Sequence, residues 1–208
     1  MQLPALLART SLAAVLALST FATLDAREDA SARAGANAAV VDTGRIRIDN
    51  FGQISPTYYR GAQPEGPDYA ALAALGVKTV INLTSHDALA DEPDMVEQAG
   101  MKYVSLPMTT RTVPTSEELA TFLAVVNDPA HQPVFVHCVG GKHRTGVMTA
   151  VYRMTQHSWT PDQAFKEMKQ FKFGSDFLHP EFKRFVYGYQ APEAPAKAPV
   201  LAVALTEG

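Results

Sequence analysis

Short runs of β-branched and aromatic residues alternate along the middle of the chain with longer segments whose apolar positions recur at helical spacing. The runs predicted to be buried strands are residues 77–83, 101–106 and 133–137. The segments predicted to be helices are residues 67–75, 92–99, 116–127, 145–157, 161–172 and 182–189. This alternation is typical of an α/β fold, so we expect a mostly parallel central sheet of about four to five strands, flanked by helices.

Several predicted helix ends carry their own sequence signals. Gly76 and Gly100 directly follow the first two helical patterns, where glycine commonly ends a helix. Thr115 and Glu118 have the spacing of a capping box at the start of the third helix. Pro161 follows Thr160, which predicts a helix that begins there. These signals place the boundaries independently of the hydrophobic pattern.

The two ends of the chain lack this periodicity. Residues 1–26 have a weakly positive start, an apolar stretch from Leu12 to Ala22 and small residues at cleavage points after Ala22 or Ala26, which is the plan of a secretory signal peptide. The stretch is shorter than the roughly 20 residues of a membrane-spanning helix. We therefore expect a periplasmic or secreted protein with no stable membrane insertion after signal removal.

The rest of the chain divides into three parts. Residues 27–44 are predicted to form a linker, because they are rich in small and charged residues without hydrophobic period. Residues 45–190 have the size of one domain. Residues 191–208 combine prolines with alanines and are predicted to be a flexible tail.

Composition excludes several functional classes. The 208 residues carry a net charge of -3, and this acidic balance argues against nucleic-acid binding. Cys138 is the only cysteine, which excludes an intrachain disulfide and a cysteine-rich zinc site. The histidines show no metal-ligand spacing, so we expect neither a metal nor another cofactor. Nothing in the pattern indicates an oligomeric state.

One glycine-bearing segment, His-Cys-Val-Gly-Gly-Lys-His-Arg-Thr-Gly at residues 137–146, lies between the third predicted strand and a predicted helix. Ligands of parallel sheets bind at the carboxyl ends of strands, and a helix N-terminus attracts anions. The two glycines permit a curl in which successive amides point inward, as a nest for a tetrahedral dianion. The predicted phosphate-binding residues are Val139, Gly140, Gly141, Lys142, His143 and Arg144.

The same loop suits nucleophilic chemistry. Arg144 offers a planar fork to two phosphate oxygens, and Cys138 is predicted to lie beneath the phosphorus as the nucleophile. Free thiols have a pKa of about 8.5, which helix N-termini and cations lower to between about 3.5 and 7.5. Thr145 is predicted to donate a hydrogen bond to the sulfur, and His137 to orient the loop. Lys142 is either a rim charge that selects highly phosphorylated substrates or a solvated loop side chain.

This segment resembles the signature of the cysteine-based protein tyrosine phosphatase superfamily, His-Cys, five residues, then Arg-Thr-Gly. The ending Gly-Lys-His-Arg-Thr-Gly is similar to the loops of plant and fungal atypical dual-specificity phosphatases and their bacterial relatives. Asn50-Phe51-Gly52, Tyr59-Arg60-Gly61-Ala62-Gln63-Pro64 and residues 76–83 also resemble segments of that family, and the similarity spans roughly residues 45–175.

The resemblance implies a phosphatase-like fold with the Cys-x5-Arg loop between strand and helix. It also implies hydrolysis of phosphomonoesters through a cysteinyl-phosphate intermediate. The implied substrate is a phosphorylated protein, on tyrosine or on serine and threonine, or an inositol phosphate. A carboxylic acid on a separate loop is expected to protonate the leaving group.

That acid is missing from its expected place. Between Pro107 and Ser116 there is no aspartate, and Thr115 or Arg111 occupies its position, depending on the alignment. Glu117 is the nearest carboxylate and a weak candidate, because its interpretation as a favourable charge in the first helical turn is preferred. The general acid therefore stays unassigned. The acidic side chains of a different loop, Asp87, Asp91 and Asp94, are interpreted as solvated.

Two other classes compete with a phosphatase. The first is a sulfurtransferase or an arsenate-reductase-like enzyme with a cysteine loop, although thiol-based arsenate reduction normally needs a second cysteine. The second is a non-catalytic phosphate-binding module, which the missing acid favours. Intact Cys138, Arg144 and Thr145 argue against such a module, because a pure binder gains little from an oxidisable nucleophile.

Overall fold

The computed structural model of the chain describes residues 46–192. The strands of this part are β1 (Gly52–Ser55), β2 (Tyr58–Gly61), β3 (Thr79–Asn82), β4 (Lys102–Ser105) and β5 (Val134–His137). Its helices are α1 (Gly66–Ala74), α2 (Glu92–Gln98), α3 (Ser116–Asn127), α4 (Arg144–Gln156), α5 (Pro161–Gln170) and α6 (Pro180–Gly188). None of these helices is long and apolar enough to cross a membrane.

The strands form one five-stranded sheet in the order β1-β2-β5-β3-β4. β1 pairs with β2 in antiparallel orientation, and every other pair is parallel. The last residue of β5, His137, lies beside Gly61 of β2 and Asn82 of β3. The carboxyl ends of three strands therefore meet at one edge of the sheet, and the expectation of a mostly parallel α/β sheet is confirmed.

Alternation along β5 assigns its side chains to two different cores. Val134 and Val136 pack with residues of α3 and α4 on one face of the sheet. Phe135 packs with residues of α1 and α2 on the other face. A third core joins α4 to α5 and α6, so α4 is buried from both sides and its first residue is fixed relative to the sheet.

The predicted helices are confirmed, each with bounds within two residues of those expected. Gly76 and Gly100 adopt φ values of 84° and 81°, the left-handed conformation that ends a helix. The capping box forms as predicted, because Thr115 accepts from the Glu118 amide at 3.2 Å and Glu118 accepts from the Thr115 amide at 2.6 Å. β1 and β2 were not predicted, because their sequences, GQIS and YYRG, contain glycine and polar residues and lack the β-branched runs of the predicted strands. The signal peptide and linker, and all but the first two residues of the tail, lie outside the described residues.

Candidate active site

The loop of residues 138–143 connects the end of β5 to the start of α4. Cys138 directly follows β5 and is buried, with 3% of its surface exposed. His143 occupies the N-cap position of α4, and Arg144 is the first helical residue. The segment thus lies between a buried strand and a helix N-terminus, which is the setting that favours anion binding.

Three consecutive carbonyl groups of this loop accept hydrogen bonds from residues outside it. The donors share one origin, since all lie in the segment from Asn50 to Gln63. The bonds join the Gln63 amide to the Val139 oxygen at 3.1 Å, Asn50 Nδ2 to the Gly140 and Gly141 oxygens at 3.5 and 2.7 Å, and Arg60 Nη2 to the Gly141 oxygen.

These bonds determine where the loop amides point. In a trans peptide, the carbonyl group and the following amide point in opposite directions. The amides of Gly140, Gly141 and Lys142 therefore point away from the donors, as a phosphate nest requires. The segment before β3 thus acts as a scaffold that turns the loop carbonyls outward.

Gly141 is the tightest point of this arrangement. Its φ of 61° is left-handed, and a Cβ atom built on it would lie 2.4 Å from the carbonyl carbon and oxygen of Gly61. Any side chain here would push the loop away from the end of β2. Glycine at this position is required by both backbone conformation and space.

Arg144 forms a bidentate ion pair with Asp87. Its Nη1 and Nη2 atoms lie 2.9 and 2.7 Å from the two carboxylate oxygens, and Nη1 also donates to the Met108 carbonyl at 3.3 Å. Asp87 contacts the end of the guanidinium, so the Nε hydrogen and the second Nη2 hydrogen are not used by that carboxylate. Hydrogen bonds from Arg144 lower the pKa of Asp87 to about 2.

The interpretation of Asp87 as a solvated side chain is therefore wrong. The carboxylate is separated from Arg144 by 57 positions in sequence, and only the fold brings them together. Asp91 and Asp94 of the same region are exposed, as expected.

His137 lies in a buried polar network behind the loop. Its Nε2 atom is 3.0 Å from Oε1 of Glu92, and both side chains are fully buried. Glu92 also accepts hydrogen bonds from Gln63, Tyr69 and Asn82. Burial alone raises the pKa of Glu92, but the neighbouring His137 and hydrogen bonds from Gln63 and Tyr69 outweigh it and lower the value. The network ties the ends of β3 and β5 to the start of α2.

The other side chains in and next to the loop differ in exposure and in the groups that they contact. Lys142 is exposed, and Val139 is 49% exposed at the rim. The His143 ring lies 3.0 Å from the Phe173 carbonyl and packs against His179, and burial with the neighbouring His179 lowers its pKa. Only the backbone of His143 is therefore free to serve a phosphate. Thr145 is fully buried, and among the described residues its hydroxyl has no hydrogen-bond partner, so the predicted bond to sulfur is not formed here.

The loop expected to carry the general acid borders the site through Met108, whose amide donates to the Leu83 carbonyl at 3.1 Å. Glu117 lies in the exposed first turn of α3, and within residues 46–192 its carboxylate forms no ion pair or hydrogen bond. Glu118 is the capping residue. The described residues contain no group of three or more His, Cys, Asp or Glu side chains that could hold a metal ion.

Comparison with known proteins identifies relatives of this arrangement. The family described as "DSP-PTPase phosphatase fused to NAD+ Kinase" matches residues 32–182. The dual specificity protein phosphatase TpbA of Pseudomonas aeruginosa strain UCBPP-PA14 is 35% identical over 169 residues, which are 81% of this chain and 74% of TpbA. The chain belongs to the atypical dual-specificity phosphatases of the cysteine-based tyrosine phosphatase superfamily. It is a cysteine-dependent phosphatase, as the sequence resemblance implied.

A second relative and a solved structure of TpbA differ in the ligands that their names give. The inositol diphosphatase SIW14 of Saccharomyces cerevisiae is 27% identical over 139 residues, which are 64% of this chain and 49% of SIW14. A crystal structure of a cysteine-to-serine variant of P. aeruginosa TpbA in complex with phosphotyrosine has a TM-score of 0.58 and 30% identity. The match covers 67% of this chain and 83% of the TpbA chain in that crystal structure.

Sequence reasoning did not assign roles to four residues that support the phosphatase loop, namely Asn50, Arg60, Asp87 and Glu92. The first two lie inside segments that resemble the family, so the resemblance itself was a signal for them. Asp87 and Glu92 lie in a loop and a helix start with ordinary acidic composition, and nothing local distinguishes them.

Proposed function

We propose that Cys138 is the nucleophile of a phosphomonoesterase and that Arg144 and the loop amides bind the phosphate. The observation that carries this proposal is that three loop carbonyls next to Cys138 point outward, which turns the loop amides inward. Cys138 is also the only cysteine of this cysteine-dependent phosphatase. The thiolate attacks phosphorus, the bond to the leaving oxygen breaks, and a cysteinyl-phosphate forms. Water then cleaves the sulfur–phosphorus bond, which releases inorganic phosphate and restores the thiolate.

Each neighbouring group has a separate task in this scheme. The amides of residues 139–144 and the free side of the Arg144 guanidinium hold the three non-bridging oxygens as negative charge develops. Asp87 keeps that guanidinium in one orientation, and His137 supports the loop through Glu92. Thr145 is proposed to stabilise the thiolate through its hydroxyl, which requires a side-chain position other than the one described here. No metal or other cofactor is required by these steps.

We propose a phosphorylated protein rather than an inositol phosphate as the substrate. A groove of about 1010 Å³ borders Val139, Gly140 and Lys142 of the phosphate loop, and neither Cys138 nor Arg144 lines it. Four acidic and two basic residues line it: Asp49, Glu65, Asp68 and Asp91, and Arg47 and Lys142. An inositol phosphate carries several negative charges, which this excess of carboxylates disfavours, whereas basic residues beside a phosphotyrosine complement it.

The substrate proposal predicts a charge preference. We expect kcat/KM for a phosphotyrosine peptide with lysines beside the phosphotyrosine to exceed that for the same peptide with glutamates by about fivefold at low salt. Asp91→Asn is expected to reduce this preference. Asp94→Asn is the matched control, because Asp94 is an exposed aspartate of α2 outside the groove. Faster cleavage of an inositol pyrophosphate than of every peptide would overturn the proposal.

We also propose that the protein is exported and acts in the periplasm or after secretion. The support is the apolar stretch from Leu12 to Ala22 with its small-residue end. N-terminal sequencing of the protein from an extracytoplasmic fraction is expected to begin at Thr23 or Arg27. Recovery of an intact Met1 from the soluble cytoplasm contradicts this proposal.

A further inference from the structure

Arg60 of β2 is a buried arginine directly behind the phosphate loop. Its side chain is fully buried, and its Nη2 atom donates to the Gly141 carbonyl. The guanidinium carbon lies 4.1 Å from the centre of the Phe171 ring. One face of the cation is thus covered by an aromatic ring, and one edge contacts the loop.

No carboxylate of the described part of the chain forms an ion pair with this cation. Among residues 46–192, Arg60 takes part in no ion pair, and its Nε and Nη1 atoms have no hydrogen-bond partner. Glu167 acts on it at longer range but is paired with Arg153, with an oxygen 2.7 Å from Nη2 of that residue. Burial lowers the pKa of Arg60 to about 10, so the side chain is still a cation at neutral pH.

Arg144 differs from Arg60 in this respect. The ionised Asp87 compensates most of its charge, and Arg144 in turn interacts directly with the Cys138 side chain. An uncompensated charge in a buried position is costly unless an anion is nearby. Arg60 pairs with Val136 of β5, and Cys138 directly follows that strand and interacts electrostatically with Arg60. The anions that the proposed reaction brings to this end of the two strands are the Cys138 thiolate and the bound phosphate.

We infer that Arg60 is a positioning residue that holds the Gly141 carbonyl outward and supplies the uncompensated positive charge that stabilises the Cys138 thiolate. This inference rests on the proposed function, in which Cys138 attacks as a thiolate. It assigns the electrostatic activation of the thiol to a residue of β2, in addition to the loop and the α4 N-terminus. The residue acts through the protein and does not touch substrate.

Other charged and titratable groups surround the pair and are unchanged in the Arg60 variants of the test. Two of them lie in the strands, three in or after the loop, one in the facing loop and two behind these elements. They are Tyr58 and His137, then Lys142, His143 and Arg144, then Asp87, and finally Glu92 and Glu167.

Alkylation of the single cysteine tests the inference without relying on turnover. The rate of reaction with iodoacetamide follows the thiolate fraction, so its pH midpoint reports thiol ionisation. For Arg60→Met we expect the midpoint to rise by about one pH unit, with a tenfold slower reaction well below it. Arg60→Lys keeps the charge and is expected to retain most of the wild-type midpoint.

Arg153→Met is the matched control. Arg153 also stacks on an aromatic ring, 4.3 Å from the centre of Trp159, but its charge is compensated by Glu167. Arg153→Met is combined with Glu167→Gln, so that no unpaired carboxylate is left near Arg60. Loss of this partly buried ion pair is expected to lower the melting temperature without moving the alkylation midpoint.

Two results overturn the inference. One is a wild-type midpoint in folded Arg60→Met, and the other is an equal rise in the Arg153→Met, Glu167→Gln control. If Arg60→Met does not fold, the alkylation midpoints of Arg60→Lys and Arg60→Gln are compared instead. Glutamine keeps a hydrogen-bond donor for the Gly141 carbonyl but lacks the positive charge, so a higher midpoint in Arg60→Gln supports the inference. Equal midpoints in those two variants also overturn it. Failure of the proposed function is separate, since it would appear as full turnover by Cys138→Ser.

Discussion

Replacement of Cys138 with serine is expected to lower the turnover of an aryl phosphate by about 10⁴-fold or more, because removal of a catalytic nucleophile has effects of this size. A serine hydroxyl stays protonated in a setting that ionises a thiol, so it cannot attack at a useful rate. The chain contains no second cysteine to take over. Initial rates with 4-nitrophenyl phosphate measure the effect.

Phosphate binding is expected to survive this substitution. The proposed binding groups are backbone amides and Arg144, none of which changes, and serine is smaller than cysteine. Calorimetric titration with inorganic phosphate should therefore give nearly the wild-type affinity, which also reports that the variant is folded. Arg144→Lys is the informative partner, because the bidentate fork is lost and both binding and turnover should fall. Wild-type hydrolysis by Cys138→Ser would contradict the assignment of the nucleophile.

The fold was predictable where local chemistry decides the structure. Thr115 and Glu118 carry their capping box in four consecutive residues, and Gly76 and Gly100 end helices through their own backbone conformations. The short strands β1 and β2 lack such signals. β2 gains its place from pairing with β5, a strand more than 70 positions away, and its central residue is a buried arginine that a local pattern assigns to solvent.

The position of the loop between a strand and a helix was predictable, and the residues that surround the loop were not. Cys138, the glycines and Arg144 lie within seven consecutive residues, so one motif specifies them. The partners come from distant positions: Asn50 and Arg60 bond Gly141 across 91 and 81 positions, and Asp87 pairs with Arg144 across 57. Long-range contacts of single polar residues produce no repeating pattern in the sequence, because each contact depends on how the strands meet at the sheet edge.

The absence of an aspartate between Pro107 and Ser116 leads to the second large expected effect. A positioned general acid typically contributes about 10²- to 10⁴-fold, and the contribution is largest for poor leaving groups. Asp87 does not replace the acid, because Arg144 holds its pKa at about 2 and the carboxylate carries no proton near neutral pH. Glu117 is exposed in the first turn of α3, where a negative charge is favoured.

We therefore expect the chemical step to depend steeply on the pKa of the leaving group, with alkyl phosphates cleaved about 10²- to 10⁴-fold more slowly than activated aryl phosphates. Single-turnover rates across a series of substituted phenyl phosphates give the slope. Glu117→Gln should leave that slope unchanged, as should the control Glu97→Gln on an exposed face of α2. Without a general acid the leaving oxygen departs as an anion. The rate therefore depends on how stable that anion is, which the pKa of the leaving group measures. A flat dependence in the wild type that becomes steep in Glu117→Gln would instead identify Glu117 as the acid, since only a proton donated during bond cleavage makes the rate insensitive to the leaving group.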